Sequence, residues 1–382
     1  MAAPQVAAAP AVIGIYLHIP YCRTLCPYCD FVRNPIDGAV PQRFVDAVCG
    51  EIAAFEGPDK AGTVFFGGGT PSLLAPASLE RILAAVGERF VLEEPEVSIE
   101  ANPDDVRGGL ADAWRALGVT RVSLGVQSFD DGVLGYLGRR HDAATARQAC
   151  GAVAERFDNW GMDLIFGAQP VDAWDATLAE CAALAPKHVS VYGLTYEAAT
   201  PFAARAGDAV DDDTYLELYW RAEAHLAGFE HYEVSNYAQP GRECRHNLIY
   251  WNNLEYAGFG PGAYSFVGGI RARNPVALND YLAHPGGKCE ALRLSDAEVR
   301  TETLIQHFRL AAGIRKAAYA ERFGRAIHED YGHALDGLVA RGLIEEDREE
   351  FRPTRRGFEL NNEIGLALVH EGGEPRAIAS EA

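Results

Sequence analysis

The chain contains no apolar run approaching the roughly 20 residues needed to cross a bilayer. Its N-terminal MAAPQVAAAP lacks both the basic flank and the long apolar stretch of a secretory signal. A cytoplasmic, reducing location with no integral membrane segment is the expectation. Basic side chains are also scarce: 34 Lys and Arg stand against 54 Asp and Glu, for a net charge of −20. That balance argues against a nucleic-acid partner held by counterion release. The regular cysteine spacing of a small disulfide framework is missing as well. Of the eight cysteines, Cys22, Cys26 and Cys29 crowd together, while Cys49, Cys150, Cys181, Cys244 and Cys289 are scattered. What is present, 48% hydrophobic and 23% charged over 382 residues, suffices for a substantial core under a solvated surface and for more than one domain.

From Val12 to Leu194 one theme recurs, a short β-branched or aromatic run followed by a longer amphipathic stretch. Strands are expected at 13–19, 63–66, 97–100, 121–125, 163–166 and 189–194, and helices at 42–55, 79–90 and 143–157. Roughly six βα units, short of the eight of a closed barrel, predict an α/β fold with an incomplete barrel. Functional residues then belong where strands end, at 22–29, at 67–70, at Glu100 and Asn102, and at Gln127. The expected domains are a flexible tail at 1–11, the partial barrel at 12–235, a β-rich extension at 236–294, a C-terminal winged-helix-like domain at 295–370, and a second flexible tail at 371–382. In that C-terminal domain acidic residues outnumber basic ones. Its helix near 329–341, read as the second, carries Glu329, Asp330 and Asp336, which would repel phosphates. A protein-contact or lid role is expected there, against the alternative of a winged-helix regulator with an iron–sulfur sensor.

The central signal is HIPYCRTLCPYCDF, with Cys22, Cys26 and Cys29 in C-x₃-C-x₂-C spacing. Three thiolates on one loop can hold three irons of a [4Fe–4S] cluster and leave the fourth open. Structural zinc is the alternative, and it needs a fourth ligand from His18 or Cys49. FFGGGTPS at 65–72 is a glycine run at a strand end, suited to close backbone approach by a ligand. It is neither a Walker A loop nor a dinucleotide-binding turn.

The cysteine loop after a first barrel strand, with Tyr28 between its last two thiols, resembles radical S-adenosylmethionine (SAM) proteins. SIEANPDD (98–105), LGVQSFDDGVLGYLGRRH (124–141), GMDLIFG (161–167) and CRHNLIYW (244–251) extend the likeness over nearly the whole chain. Together with the C-terminal module they resemble the HemN/HemW family, which includes oxygen-independent coproporphyrinogen III dehydrogenases and haem chaperones. The resemblance implies a [4Fe–4S] cluster on Cys22, Cys26 and Cys29, with SAM chelating the open iron. It also implies SAM contacts from Tyr16, Tyr28, Gly68, Gly69, Thr70, Glu100, Gln127, Arg139 and Asp163.

Two features point to the chaperone branch. Phe31 stands where the dehydrogenases resemble C-x₃-C-x₂-C-x-C, and only a short stretch precedes the cluster loop, where dehydrogenases carry a longer extension. His246, Tyr250 and Trp251 complete an HNxxYW string that the resemblance associates with haem, the imidazole as an iron ligand and the aromatics packed on the porphyrin. The implied partners are haem, a haem-acceptor protein and an electron donor, neither protein identified by the sequence. A radical SAM enzyme, a coproporphyrinogen dehydrogenase or a methyltransferase, is the alternative function. Two segments depart from the family: Ala168-Gln169-Pro170-Val171-Asp172 replaces Leu-Pro-Gly-Gln-Thr, and Tyr264 replaces a histidine in Gly-Ala-His. Cys244 and Tyr264 are further candidate ligands.

Overall fold

The computed structural model describes residues 12–372. Six strands run parallel and in chain order: Val12–Ile19 (β1), Lys60–Gly68 (β2), Val91–Ala101 (β3), Arg121–Gln127 (β4), Trp160–Phe166 (β5) and His188–Gly193 (β6). Each expected strand is present, and most extend beyond the predicted bounds. Helices lie at Gln42–Ala53, Pro76–Arg89 and Ala143–Ala154, also where periodicity placed them. Both faces of such a sheet are covered, so alternation along a strand separates two buried environments rather than core from water. In β1, Ile13, Ile15, Leu17 and Ile19 point outward into a core shared with Phe44, Val48 and Ile52. Each such aliphatic side chain contributes roughly 1.5–3 kcal/mol by leaving water. The intervening Gly14, Tyr16 and His18 face inward.

The sheet continues past the six units. Glu230–Glu233 (β7) and Asn236–Ala238 (β8) extend it antiparallel beyond β6. Tyr256–Phe259 (β9) lies parallel against the other side of β1, followed by the antiparallel meander Tyr264–Val267 (β10), Ile270–Arg273 (β11) and Glu290–Arg293 (β12). The 12-stranded order is β12-β11-β10-β9-β1-β2-β3-β4-β5-β6-β8-β7. The expected extension at 236–294 is therefore continuous with the barrel sheet. Its HNLIYW string corrects the β reading of this stretch: Arg245–Trp251 is a helix. Aromatic richness suggested strand, but the packing of His246 and Ile249 on β1 decides for helix. Gly14 makes that docking possible, because a Cβ there would lie 2.8 Å from Ile249 and 3.1 Å from His246.

The C-terminal module consists of helices Asp296–His307, Lys316–Phe323 and Ile327–Ala340, a hairpin of Ile344–Glu346 with Glu350–Pro353 edged by Ile314–Arg315, and helices Arg355–Glu359 and Asn361–Gly372. The acidic helix is the third of this module, not the second. Ser295 and Glu298 form a capping box at the start of the module's first helix, and Leu304, Phe308, Leu335 and Phe351 belong to the module's own core. Residues 371 and 372, expected in a tail, complete the last helix. The tails expected at 1–11 and over 373–382 lie outside the described residues. Among the described residues, no helix is long and apolar enough to cross a membrane.

Candidate cofactor site

The cysteine loop is pinned at both ends. Cys22 lies in a two-residue strand whose carbonyl accepts from Ile36 N–H at 2.9 Å, while Asn34 N–H donates to Pro20 O at 2.6 Å. Within the loop, Cys29 N–H bonds Cys26 O at 3.2 Å and Arg33 donates to Cys26 O at 2.9 Å. The Cys22 sulfur accepts from the Thr70 hydroxyl at 3.3 Å, and the Cys26 sulfur from Arg139 Nη1 at 3.4 Å. Burial pushes the Cys22 and Cys29 thiols above their ordinary range. Thr70, Arg33 and Arg139 pull Cys22 back down, and the Phe31 backbone with Arg33 does the same at Cys29. The fourth ligand that zinc would need is not on offer: His18 bonds Val32 O through Nε2 at 2.7 Å and the Tyr16 hydroxyl through Nδ1 at 3.0 Å. Cys49 sits on the helix Gln42–Ala53, its thiol directed at Arg81 O. The donor set suits a cluster with one open iron.

The loop faces the C-terminal ends of the barrel strands across a cavity of about 550 Å³. Cys22, Cys26, Cys29, Tyr28, Gly68, Gly69, Thr70, Glu100, Gln127, Arg139 and Asp163 all line it. Gly69 has to be glycine, since a Cβ would stand 2.7 Å from Ile19 O and 2.9 Å from Tyr21 N. Gly68, at φ 103°, donates its N–H to Glu100 Oε2 at 3.2 Å. Arg139 is held by Asn102 Oδ1 at 2.5 Å and Gly125 O at 2.9 Å, and its Nη1 lies 3.4 Å from the Tyr28 hydroxyl. Burial, then the neighbouring Asp163, lifts Glu100 to about 8, so its carboxyl is largely protonated at neutral pH. Asp163 accepts from Ser123 at 3.1 Å, and burial raises it too. Gln127 holds φ at 67°, a left-handed conformation uncommon for a side chain of its size.

Tyr16 is the exception in this set. It stands outside the cavity lining, its ring stacked with Phe65 at 6.3 Å and its hydroxyl spent on His18. None of residues 168–172, the departing loop, lines the cavity.

The chain matches the radical SAM superfamily over residues 16–180 and the HemN C-terminal domain over 294–360. It is 40% identical over 323 residues to the haem chaperone HemW of Synechocystis, covering 78% of each chain. The chain belongs to the HemW family. A Mycobacterium tuberculosis HemW is 36% identical over 377 residues, covering 93% of this chain and 94% of that one. The solved structure of Escherichia coli coproporphyrinogen III oxidase, HemN, superposes with a TM-score of 0.81 over 95% of this chain and 91% of that one. At 22% identity it shows the shared fold. For a HemW-family chain, superfamily membership implies a [4Fe–4S] cluster and SAM.

The HNxxYW residues are placed differently from the expectation drawn for them. His246 is 1% exposed. Its Nδ1 lies 2.7 Å from Thr63 Oγ1 and its Nε2 2.8 Å from the Tyr250 hydroxyl, and its ring stacks on Phe65 at 5.1 Å. Burial holds it near a pKa of about 3, neutral at any ordinary pH. Both nitrogens are committed, so this arrangement does not present the imidazole to iron. Trp251 lies under the Arg309 guanidinium, 4.4 Å from the ring centroid, and Arg309 reaches Glu233 of β7 at 3.8 Å. The motif thus joins the barrel wall to the C-terminal module. Tyr264 sits on β10 with Arg273 over its ring, away from the cavity, whereas Cys244 does line it.

Sequence reasoning missed Arg121, His188, Ser190 and Asn247, which also line the cavity. The signal was available: in RVSLGVQ and HVSVYG, polar residues alternate with buried Val and Leu. In a parallel barrel that alternation marks an interior built to meet a ligand.

Proposed function

We propose that this chain is a haem chaperone of the HemW type that holds a [4Fe–4S] cluster on Cys22, Cys26 and Cys29, binds SAM beside it, and passes haem to an acceptor protein. The observation that carries the cofactor part is that the three thiols and the strand-end groups line one cavity. Arg139, oriented by Asn102 and Gly125, suits the SAM carboxylate. Glu100 and Asp163 suit ribose hydroxyls or the ammonium, while Gly68, Gly69 and Thr70 leave room for the ligand and Tyr28 and Gln127 border it. Tyr16 supports the wall from behind Phe65. The cluster, when bound, supplies an electron for reductive cleavage of SAM, and an electron donor is therefore a required partner.

The names of the full-length HemW relatives support haem as the cargo. Phe31, 62% exposed at the cavity mouth where a dehydrogenase would carry a further cysteine, favours carrier over dehydrogenase. Eight unpaired cysteines suit a reducing, cytoplasmic setting. His246 belongs to the barrel wall in this reading, and iron ligation by it requires both of its hydrogen bonds to break. The competing reading, a radical SAM enzyme, has one observation in its favour: the cavity continues below the cofactor level. Anaerobic reconstitution with iron analysis and low-temperature EPR, then a haem titration, tests the proposal. About one haem per chain alongside one cluster is expected. SAM-dependent decarboxylation of coproporphyrinogen III would reject the carrier assignment.

A further inference from the structure

We propose that the lower end of the barrel cavity is a binding site for the carboxylate of a small organic acid, with Arg121 as its anchor. Arg121 lies four residues before Gly125 on β4, whose carbonyl fixes Arg139. At about 3.3 Å per residue the backbones of Arg121 and Gly125 are separated by about 13 Å along the strand. Arg121 is 2% exposed yet lines the cavity. Its Nη1 makes two long contacts, 3.5 Å to Asn159 Oδ1 and 3.4 Å to Arg242 O, and its Nε has no partner among the described residues. Among the described residues no carboxylate oxygen comes within 4 Å of it. Glu96 and Asp163 offset the charge at range, and one oxygen of each is engaged elsewhere. Glu96 Oε1 accepts from Arg245 N–H at 3.0 Å, and Asp163 Oδ1 from Ser123. A buried guanidinium so poorly satisfied is costly unless an anion completes it, and its fork matches a carboxylate.

A second polar group stands beside it. The Tyr232 oxygen accepts from Cys244 N–H at 3.4 Å and lies 2.9 Å from His188 Nε2. His188 Nδ1 has no partner among the described residues and is the donor the site uses in the tautomer that carries its proton there. His188 is 1% exposed, and burial together with Arg121 keeps it neutral. Asn247, the second residue of the HNxxYW string, lines the same end, and its amide has no partner among the described residues. Arg121 and Asn247, with His188 in its Nδ1–H tautomer, thus offer donors to one anion in this cavity.

Cys244 lines this lower end and provides the readout, with exposed Cys289 as internal reference. Cluster-reconstituted protein is treated anaerobically with iodoacetate or iodoacetamide, and labelling of each cysteine is followed by peptide mass spectrometry. Normalised to Cys289, iodoacetate should label Cys244 about tenfold faster than iodoacetamide, since a charge-assisted contact guides it. Arg121→Gln should abolish that preference. In the wild-type protein, propionate should protect Cys244 and propionamide should not, a comparison that needs no variant. Equal normalised rates, protection by propionamide as good as by propionate, or no labelling of Cys244 while Cys289 reacts would each overturn the proposal.

Discussion

Replacing His246 by Ala separates a structural role from iron ligation. The substitution removes two buried hydrogen bonds, worth about 1 kcal/mol each, and leaves Thr63, 2% exposed, with an unsatisfied hydroxyl at about 1–3 kcal/mol more. The lost stack on Phe65 and the void left behind add roughly 1 kcal/mol. The expected destabilisation is therefore about 4–6 kcal/mol, read as a lower midpoint in chemical denaturation of the cluster-free protein. Thr63→Val should cost about 1–3 kcal/mol, and the double variant should show a coupling of about 1–2 kcal/mol. The pH dependence gives an independent signature. His246 is held neutral with a pKa of about 3, against about 6.5 in the unfolded chain, so the unfolded state binds the extra proton between those values. Its contribution is fully present above pH 6.5 and declines by about 1.4 kcal/mol per unit as pH falls toward 3. The His246→Ala variant should lose stability less steeply in that window. Haem titration of the same variant, under conditions where it remains folded, should give an unchanged Soret band. A shifted Soret band together with wild-type stability would refute the structural assignment and return the imidazole to the iron.

Three further outcomes are expected. Cys22→Ala, Cys26→Ala or Cys29→Ala should abolish the [4Fe–4S] EPR signal, while Cys49→Ala, Cys150→Ala and Cys181→Ala should retain it; stoichiometric zinc in the wild type would defeat the cluster assignment. Arg139→Gln, which removes the charge facing Cys26 and Tyr28 and the two hydrogen bonds donated to Asn102 Oδ1 and Gly125 O, should weaken SAM binding about tenfold or more with the cluster still present, as measured by equilibrium dialysis. The full chain should show no salt-sensitive binding to duplex DNA by fluorescence anisotropy, because its net charge of −20 opposes association with a polyanion.

The six parallel strands could be read from the sequence because each is buried on both faces, which concentrates β-branched and aliphatic residues in short runs between amphipathic helices. The cluster loop could be read because its three thiols are neighbours in sequence, and the C-terminal hairpin because GLIEED and EEFRPT carry their own turn. What sequence could not supply was which inward-facing groups meet across the barrel. Thr63 and His246 are 183 residues apart and 2.7 Å from each other. That contact turns a candidate iron ligand into part of the wall. HNLIYW looked like a strand because aromatic residues favour sheets, and it became a helix because the bare backbone of Gly14 admits it against β1. Arg121 was a single basic residue in an apolar run until the closing of the sheet brought His188, Asn247 and Cys244 around it. Local pattern determined the elements and the thiol loop, since both depend on near neighbours. The cavity and the roles of its lining depended on strand register and curvature, which arise only when distant segments pack together.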